Sequence, residues 1–172
     1  MDEAIEKPFE LTASLEDYLE AIQALISNES HGHAHTGEIA ERLKVKMPSV
    51  SYALGVLCKH GYLNYNANYP VTLTEKGEKE AARVVRRHRV LSTFLCEVLQ
   101  IHSAKSSEIA CRMEHVIDED FLDRLEILSE DVTTARHCEK LRCYLAERYS
   151  VLDGGRRADG SLCYTAQNLS ED

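Results

Sequence analysis

Residues 36–74 read TGEIAERLKVKMPSVSYALGVLCKHGYLNYNANYPVTLT. Apolar residues recur every three or four positions in the first two thirds of this stretch, which predicts two short helices with a break at residues 44–47. Pro48 fits the first turn of the second helix, and Gly61 fits its end. The last third alternates between apolar and polar residues and is rich in Tyr, Val and Thr, which predicts a two-stranded hairpin with residues 66–68 at its turn.

Two short helices, a tight turn and a hairpin together predict a winged helix-turn-helix. In that motif the second helix enters the major groove of DNA with its N-terminal residues near the base edges. The candidate DNA-binding residues are Thr36, Lys44, Lys46, Pro48, Ser49, Ser51 and Tyr52. Few of them can pair with two atoms of one base, so we expect modest specificity from each half-site. Winged folds also serve as protein-interaction modules, and the sequence pattern leaves that alternative open.

The segments on either side of this stretch are predicted to be helical. Apolar periodicity indicates helices near residues 14–27, 75–99, 106–116, 118–128 and 134–149. Ser14 and Thr36 are the expected N-caps of two of the helices. Residues 153–172 contain glycines and show no period, which predicts a mobile tail. The expected fold is mostly α: a winged helix-turn-helix domain with a small hairpin over 1–75, an all-helical domain over 76–150 and a flexible tail over 151–172.

The distribution of charge supports a DNA-binding role more than the net charge does. The chain carries a net charge of −9, which by itself argues against nucleic acid as a partner. Residues 36–89, however, contain ten basic and five acidic side chains, whereas the remainder contains ten basic and 24 acidic ones. A basic segment between acidic ends is typical of a DNA reader joined to an acidic domain, although a solvated helix face explains part of it. We expect phosphate contacts from the basic run at residues 86–89.

Composition and motifs exclude several classes of protein. The 172 residues allow one domain or two small ones. No apolar run reaches the roughly 18 residues that span a membrane, and the acidic N-terminus lacks a secretory signal, so we expect a cytoplasmic protein. The six cysteines form no C-x-x-C pair and are expected to be reduced. The sequence has no H-E-x-x-H motif, nucleophile elbow or glycine-rich phosphate loop, which argues against an enzyme.

A candidate metal site begins with CRMEH at residues 111–115. On a helix, Cys111, Glu114 and His115 share one face, so a thiolate, a carboxylate and an imidazole point the same way. Asp17 and Glu20 share a face of the first predicted helix, and His88 lies within a run of arginines. Each of these groups has an ordinary explanation as a solvated surface side chain. The three histidines of HGHAH, His31, His33 and His35, are interpreted as a solvated loop rather than a second site.

These motifs together resemble those of a known family. SLEDYLEAI, the reader at residues 39–63, TEKG, RRHR and CRMEHV occur in the order found in the diphtheria toxin repressor family, over residues 12–150. That family includes iron-dependent repressors and manganese transport regulators. The resemblance implies a metal-activated homodimer that binds double-stranded DNA, with its helical domain dimerising and metal held between the two domains. No organic cofactor, enzymatic activity or membrane association is implied.

The resemblance also implies which residues bind metal. Asp17 and Glu20 resemble the first-helix ligands of the manganese branch, and His88, Glu114 and His115 resemble ligands that both branches share. Cys111 stands where the iron branch has cysteine. The chain departs from the iron branch at its second metal site, where Ser92 and Ser107 replace a glutamate and a histidine, and the sequence shows no SH3-like third domain.

Ligand softness orders the expected metals. Thiolate with imidazole favours Fe(II), Co(II), Ni(II) or Zn(II), whereas carboxylates with imidazole favour Mn(II). We expect Fe(II) first, Mn(II) second and Zn(II) third. One ion bound by donors from several segments would fix the spacing of two readers on a palindromic operator of metal-homeostasis genes. The alternative is a metal-independent winged-helix regulator that senses a small organic ligand, and a chelator titration of DNA binding distinguishes the two.

Overall fold

Helices and one small antiparallel sheet make up the part of the chain that the structure describes. The structure is a computed structural model, and it describes residues 9–28, 32–66, 69–135 and 138–152. The elements are α1 Ala13–Asn28, α2 Thr36–Leu43, α3 Met47–Lys59, β1 Leu63–Asn64, β2 Thr72–Leu73, α4 Glu75–Thr93, a π-helical turn Phe94–Val98, α5 Ser103–Met113, α6 Glu119–Thr134 and α7 Glu139–Leu152. The predicted fold class, mostly α with a hairpin wing, is confirmed.

The chain divides into two units, each with its own apolar core. The first unit ends at Val85 and the second begins at Arg86, so the division falls inside α4. Within the first unit, α1, α2, α3 and the sheet enclose buried side chains that include Leu19, Ile22, Ile39, Leu54, Leu57, Leu63 and Val71. Within the second unit, the C-terminal part of α4 and the π-helical turn pack with α5 and α6 around Val90, Leu91, Leu95, Ala110, Leu122 and Leu125.

Two helix starts differ by one or two residues from the predicted ones. α1 begins at Ala13, where the Thr12 hydroxyl and carbonyl both accept from the Leu15 N–H, so the predicted cap Ser14 lies inside the helix. α2 begins at Thr36, and the N-cap is His35, whose N–H donates to the Glu38 carboxylate at 2.7 Å. Glu38, at the third helical position, accepts from the His35 N–H, which has no partner within the helix. This contact makes His35, and not Thr36, the N-cap.

The wing is larger than the two predicted strands. Leu63 pairs with Leu73 and Asn64 with Thr72, as an antiparallel hairpin requires. In addition, the backbone of Ala34 pairs with Val71, with N–H to carbonyl distances of 2.9 and 2.8 Å. The interpretation of residues 31–35 as only a solvated loop is therefore wrong for Ala34, which is fully buried. His31 and two residues of the expected turn, at 67 and 68, lie outside the described part.

The start of α4 explains the threonine and the glycine of the TEKG motif at residues 74–77. The Thr74 hydroxyl donates to the Gly61 carbonyl at 2.7 Å and accepts from the Gly77 N–H at 3.1 Å. A Cβ at Gly77 would overlap the carbonyl oxygen of Tyr62. Threonine therefore caps the helix and ties it to the end of α3, and glycine allows the close approach.

Several helices of the second unit begin or end at residues other than the predicted ones. The helix predicted over 75–99 is α-helical to Thr93 and continues as the π-helical turn, whereas α5 starts three residues earlier than predicted. α6 begins at Glu119, one residue later than predicted, and Asp118 is its N-cap, accepting a 2.8 Å bond from the Phe121 N–H. The helix predicted over 134–149 begins instead at Glu139, because Thr134 still belongs to α6. Arg142 donates to the carbonyl of Ala135 at 3.1 Å and so helps to end α6. α7 extends to Leu152, so it includes the first two residues of the tail predicted over 151–172, and residues 153–172 lie outside the described part.

Two general expectations can be compared with the described residues. Among them, no helix is both long enough and apolar enough to cross a lipid bilayer. Five of the six cysteines fall within the described ranges, and all five are free thiols: Cys58, Cys96, Cys111, Cys138 and Cys143.

Candidate metal centre and nucleic-acid interface

The CRMEH motif lies at the end of α5. The expectation of one helix through the whole motif is wrong, because α5 ends at Met113. Glu114 nevertheless keeps helical backbone angles, and its N–H donates to the Ala110 carbonyl at 2.9 Å. The helical spacing thus holds from Cys111 to Glu114, and the chain turns at His115. The Sγ of Cys111 lies within 4.8 Å of a carboxylate oxygen of Glu114.

Glu114 is a fully buried carboxylate. Its Oε2 lies 2.7 Å from Nδ1 of His88. Its Oε1 lies 3.5 Å from Nε2 of His115 but accepts no hydrogen bond from any residue that the structure describes. Leaving a buried acceptor unsatisfied costs about 1–3 kcal/mol. A cation bound to this oxygen would remove the penalty.

His88 connects the C-terminal part of α4 to this carboxylate. The ring is partly buried, with its other nitrogen, Nε2, 3.2 Å from the Ser107 hydroxyl. Glu114 therefore has one imidazole near each of its oxygens, and the Cys111 thiol lies within 4.8 Å of the same carboxylate. Imidazole, carboxylate and thiolate are the ligands of Zn(II), Fe(II) and related divalent ions. The donor set and the unsatisfied oxygen of Glu114 both fit a transition-metal ion.

The other two predicted ligands belong to the first unit. Asp17 and Glu20 are half-buried on α1, at the i and i+3 positions that the sequence indicated. Their neighbour Glu16 is only 9% exposed, and sequence reasoning did not single it out. Its position three residues before the buried Leu19 and four before Glu20 could have indicated it, since such spacing places it on the same face.

The basic run at residues 86–89 has acidic partners within its own unit. Arg86 donates to Glu119 at 3.1 Å and to Asp123 and Glu126 at 2.6 Å each. Arg89 donates to Glu126 at 2.9 Å. Hydrogen bonds from Arg86 to Asp123 and Glu126 raise the pKa of this guanidinium above its usual range. The charge of Arg86 is thus already paired with carboxylates of α6, and the phosphate contact expected of this residue stays a prediction.

The predicted DNA-reading residues lie on an exposed surface of the first unit. Lys44, in a left-handed conformation with φ of 54°, ends α2 and is exposed, whereas Thr36 is half-buried. On α3 the candidates are exposed: Lys46, Pro48, Ser49, Ser51 and Tyr52. The opposite face of α3 is buried and contains Val50, Ala53, Leu54 and Leu57. Tyr52 is 76% exposed, which leaves its ring and hydroxyl accessible to a partner.

Both units match models of one protein family. Residues 10–69 match the model described as "Iron dependent repressor, N-terminal DNA binding domain". Residues 74–141 match the model described as "Iron dependent repressor, metal binding and dimerisation domain". The two matches follow the order that the sequence motifs indicated.

Relatives in two organisms support this assignment. An uncharacterised HTH-type transcriptional regulator of Methanocaldococcus jannaschii is 37% identical over 120 residues, which cover 70% of this chain and 95% of the relative. The HTH-type transcriptional regulator MntR of Lysinibacillus sphaericus is 37% identical over 114 residues, which cover 66% of this chain and 80% of that protein.

A solved structure shares the fold. The structure of the manganese regulator SloR superposes with a TM-score of 0.59 at 28% sequence identity, over 69% of this chain. The chain spans 54% of the length of that protein. The two sequence relatives are transcriptional regulators, which agrees with the prediction that the chain is not an enzyme. The chain belongs to the iron-dependent repressor family of metal-dependent transcriptional repressors, as its sequence motifs predicted.

Proposed function

We propose that this protein is a metal-activated repressor in which one divalent transition-metal ion controls the binding of a homodimer to a palindromic operator of metal-homeostasis genes. The observation that carries the proposal is the buried Glu114 carboxylate, with one oxygen on His88 and the other without a hydrogen bond from the described residues. A buried carboxylate in that state is best explained by a cation that completes its coordination.

We propose that both units supply ligands. The second unit offers His88, Cys111, Glu114 and His115, and the family resemblance adds Asp17 and Glu20 from the first. When bound, the ion supplies positive charge that offsets the repulsion among these carboxylates. An ion bound by both units stabilises the conformation in which all its ligands meet. It shifts the equilibrium between this conformation and others only by the difference in its affinity for them.

We propose Fe(II) as the activating ion, with Mn(II) second and Zn(II) third. The Cys111 thiol supports Fe(II), because thiolate ligands disfavour the hard Mn(II) ion. The carboxylates Asp17, Glu20 and Glu114 support Mn(II), as does the likeness to the manganese regulator SloR. Affinity measured in vitro follows the Irving–Williams order for almost any such site, so the ranking must be tested through DNA binding.

We propose that the second unit dimerises. Its match to a metal binding and dimerisation domain supports this proposal, as do large apolar side chains that are exposed on the single chain, namely Val116, Phe121, Ile127, Leu128, Leu141 and Tyr144. Exposed apolar surface of this kind commonly marks an interface. A dimer whose readers stand about 34–36 Å apart meets successive major grooves. A coupling free energy of about 1–3 kcal/mol between metal and DNA is enough for a switch.

The deciding experiment measures operator binding under anaerobic conditions at buffered free Fe(II), Mn(II) and Zn(II). The operator is first selected from random duplexes with the metal-loaded protein. We expect metal to raise operator affinity by about 5–150-fold and a chelator to reverse the effect. Glu114→Gln should abolish the metal effect, whereas Glu108→Gln, an exposed glutamate on α5, should leave it unchanged. Equal operator affinity with and without metal would contradict the proposal and would favour a regulator controlled by another ligand.

A further inference from the structure

Both ring nitrogens of His88 have a polar partner within the second unit. Nδ1 lies 2.7 Å from the Glu114 carboxylate, and Nε2 lies 3.2 Å from the hydroxyl of Ser107. Ser107 is on α5, four residues before Cys111 and seven before Glu114, so the three share one face of the helix. α5 and the residue that follows it therefore supply two proposed ligands, Cys111 and Glu114, and also a partner for a third.

These two contacts together select one orientation of the imidazole. Rotating the ring by half a turn about its bond to Cβ would put carbon atoms where Nδ1 and Nε2 now stand. Both contacts would then be lost, and the Glu114 carboxylate would lose its 2.7 Å partner. Glu114 contacts one nitrogen of the ring, and Ser107 contacts the nitrogen on the far side.

We propose that Ser107 is a positioning residue for His88: its hydroxyl holds Nε2 and thereby directs Nδ1 at Glu114, where the metal is proposed to bind. This inference rests on the proposed function. Partners of this kind on the remote nitrogen of a histidine ligand set its orientation and tautomer in many metal sites. Here a serine hydroxyl takes a role that a carboxylate or a backbone carbonyl fills elsewhere.

A hydroxyl suits this position because it can both donate and accept a hydrogen bond. Nδ1 can bind a cation only in the tautomer that carries the ring proton on Nε2, and in that tautomer the Ser107 oxygen accepts from Nε2–H. When the proton is on Nδ1, facing Glu114, the same hydroxyl donates to Nε2. Ser107 therefore serves both tautomers without adding charge or a strong competing ligand beside Cys111.

The test compares full-length wild type with Ser107→Ala, Ser107→Thr and Ser103→Ala. Ser103 is an exposed serine at the start of the same helix and serves as the matched control. One readout is the affinity for Co(II), measured by competition with a chelator. The other is the pair of imidazole 15N chemical shifts of His88, recorded by NMR in the metal-free protein and with Zn(II), because these shifts report which nitrogen carries the proton.

We expect Ser107→Ala to weaken Co(II) binding by on the order of 10-fold and to shift both His88 nitrogens in the metal-free protein. Ser107→Thr, which keeps the hydroxyl, should return affinity to within about twofold of wild type and restore the shifts, and Ser103→Ala should change neither. Unchanged affinity and unchanged shifts in Ser107→Ala would overturn the proposal, as would an equal loss in Ser103→Ala or in Ser107→Thr. The shifts of the metal-free protein test Ser107 even if operator binding proves independent of metal, so the two failures can be told apart.

Discussion

The Nδ1 atom of His88 lies 2.7 Å from Oε2 of Glu114, and this contact joins α4 to the residue that follows α5. It satisfies half of a carboxylate that is fully buried. The other oxygen makes the metal-free second unit less stable than it could be, because a buried acceptor without a partner is costly. Stability and metal affinity are therefore set by the same atom.

Glu114→Gln should separate these two properties. The amide removes the buried charge, so we expect the metal-free variant to be as stable as wild type or more so. At a metal concentration about 100 times its Kd, wild type should gain about 2.7 kcal/mol, and the variant should gain almost none of it. Thermal unfolding with and without Mn(II) measures both effects. Glu108→Gln is the control, and a full metal-induced rise in Tm for Glu114→Gln would count against Glu114 as a ligand.

Cys111→Glu should change which metal activates operator binding best. Exchanging the thiolate for a carboxylate hardens the donor set, so we expect Mn(II) to gain on Fe(II) and Zn(II) as an activator of operator binding. The measurement is the ratio of operator affinities at equal buffered concentrations of free Mn(II) and Fe(II). Cys143→Ser, at a half-buried cysteine on α7, is the control. An unchanged ranking in Cys111→Glu would remove Cys111 as the residue that selects the metal.

Arg86→Met should destabilise the second unit. Arg86 bonds to carboxylates at three positions along α6 and is 33% exposed, so its network is screened less than a simple surface pair. Hydrogen bonds to charged groups contribute about 1.5–3 kcal/mol when shielded from water, and partial exposure lowers this, so we expect a loss of about 1–2 kcal/mol in the free energy of unfolding at low salt. The matched control is Arg124→Met, because Arg124 forms an exposed ion pair with Asp120 one turn away on α6, and we expect a change below about 0.5 kcal/mol.

Salt provides a second check on the Arg86 network. Raising ionic strength from about 0.1 to 1 M shortens the screening length from about 10 to 3 Å. The difference in stability between wild type and Arg86→Met should therefore shrink in concentrated salt. A difference that stays constant would mean that packing of the Arg86 side chain, rather than its charge, accounts for the loss.

Gly77→Ala should test the close contact at the start of α4. A methyl group there meets the Tyr62 carbonyl, which is backbone and cannot rotate away. We expect a loss of about 1–3 kcal/mol, although alanine is a better helix former than glycine. Gly55→Ala, on the exposed side of α3 with open space around it, should instead gain up to about 1 kcal/mol. Chemical denaturation of both variants gives the comparison, and a gain at Gly77 would contradict the contact.

Lys46→Ala should weaken operator binding without changing metal affinity. Lys46 is exposed at the N-terminus of α3, where a phosphate contact is predicted. Loss of one such contact should reduce the slope of log affinity against log salt by about 1. Lys140→Ala, at an exposed lysine on α7, is the control. An unchanged slope in Lys46→Ala would place Lys46 outside the DNA interface.

The sequence predicted the first unit well because its signals are local. Periodicity, Pro48 and Gly61 are sufficient to define α3, and alternation is sufficient to indicate the hairpin. The helix starts were less certain, since Thr12 competes with Ser14, and His35 with Thr36, for the same few backbone N–H groups. The outcome depends on which side chain reaches them, as the Glu38 contact with His35 shows.

The candidate site was predictable residue by residue but not as a set of contacts. CRMEH identified Glu114, yet nothing in its spacing showed that Oε1 lacks a hydrogen bond. The partners of Arg86 lie 33 to 40 residues further along the chain, so the local charge of the sequence indicated only a basic run. The contact of His88 with Ser107 spans 19 residues, and it could not be predicted because local spacing carries no information about so distant a partner.

The pairing of Ala34 with Val71 has a mechanical consequence for recognition. The residue two positions before α2 is hydrogen-bonded to the hairpin in both directions. A groove that pushes the hairpin aside must therefore drag the beginning of α2 along or break two backbone bonds. The hairpin should therefore move together with α2. A change in groove width from one DNA sequence to another would then strain the whole DNA-binding unit and not only the tip of the hairpin.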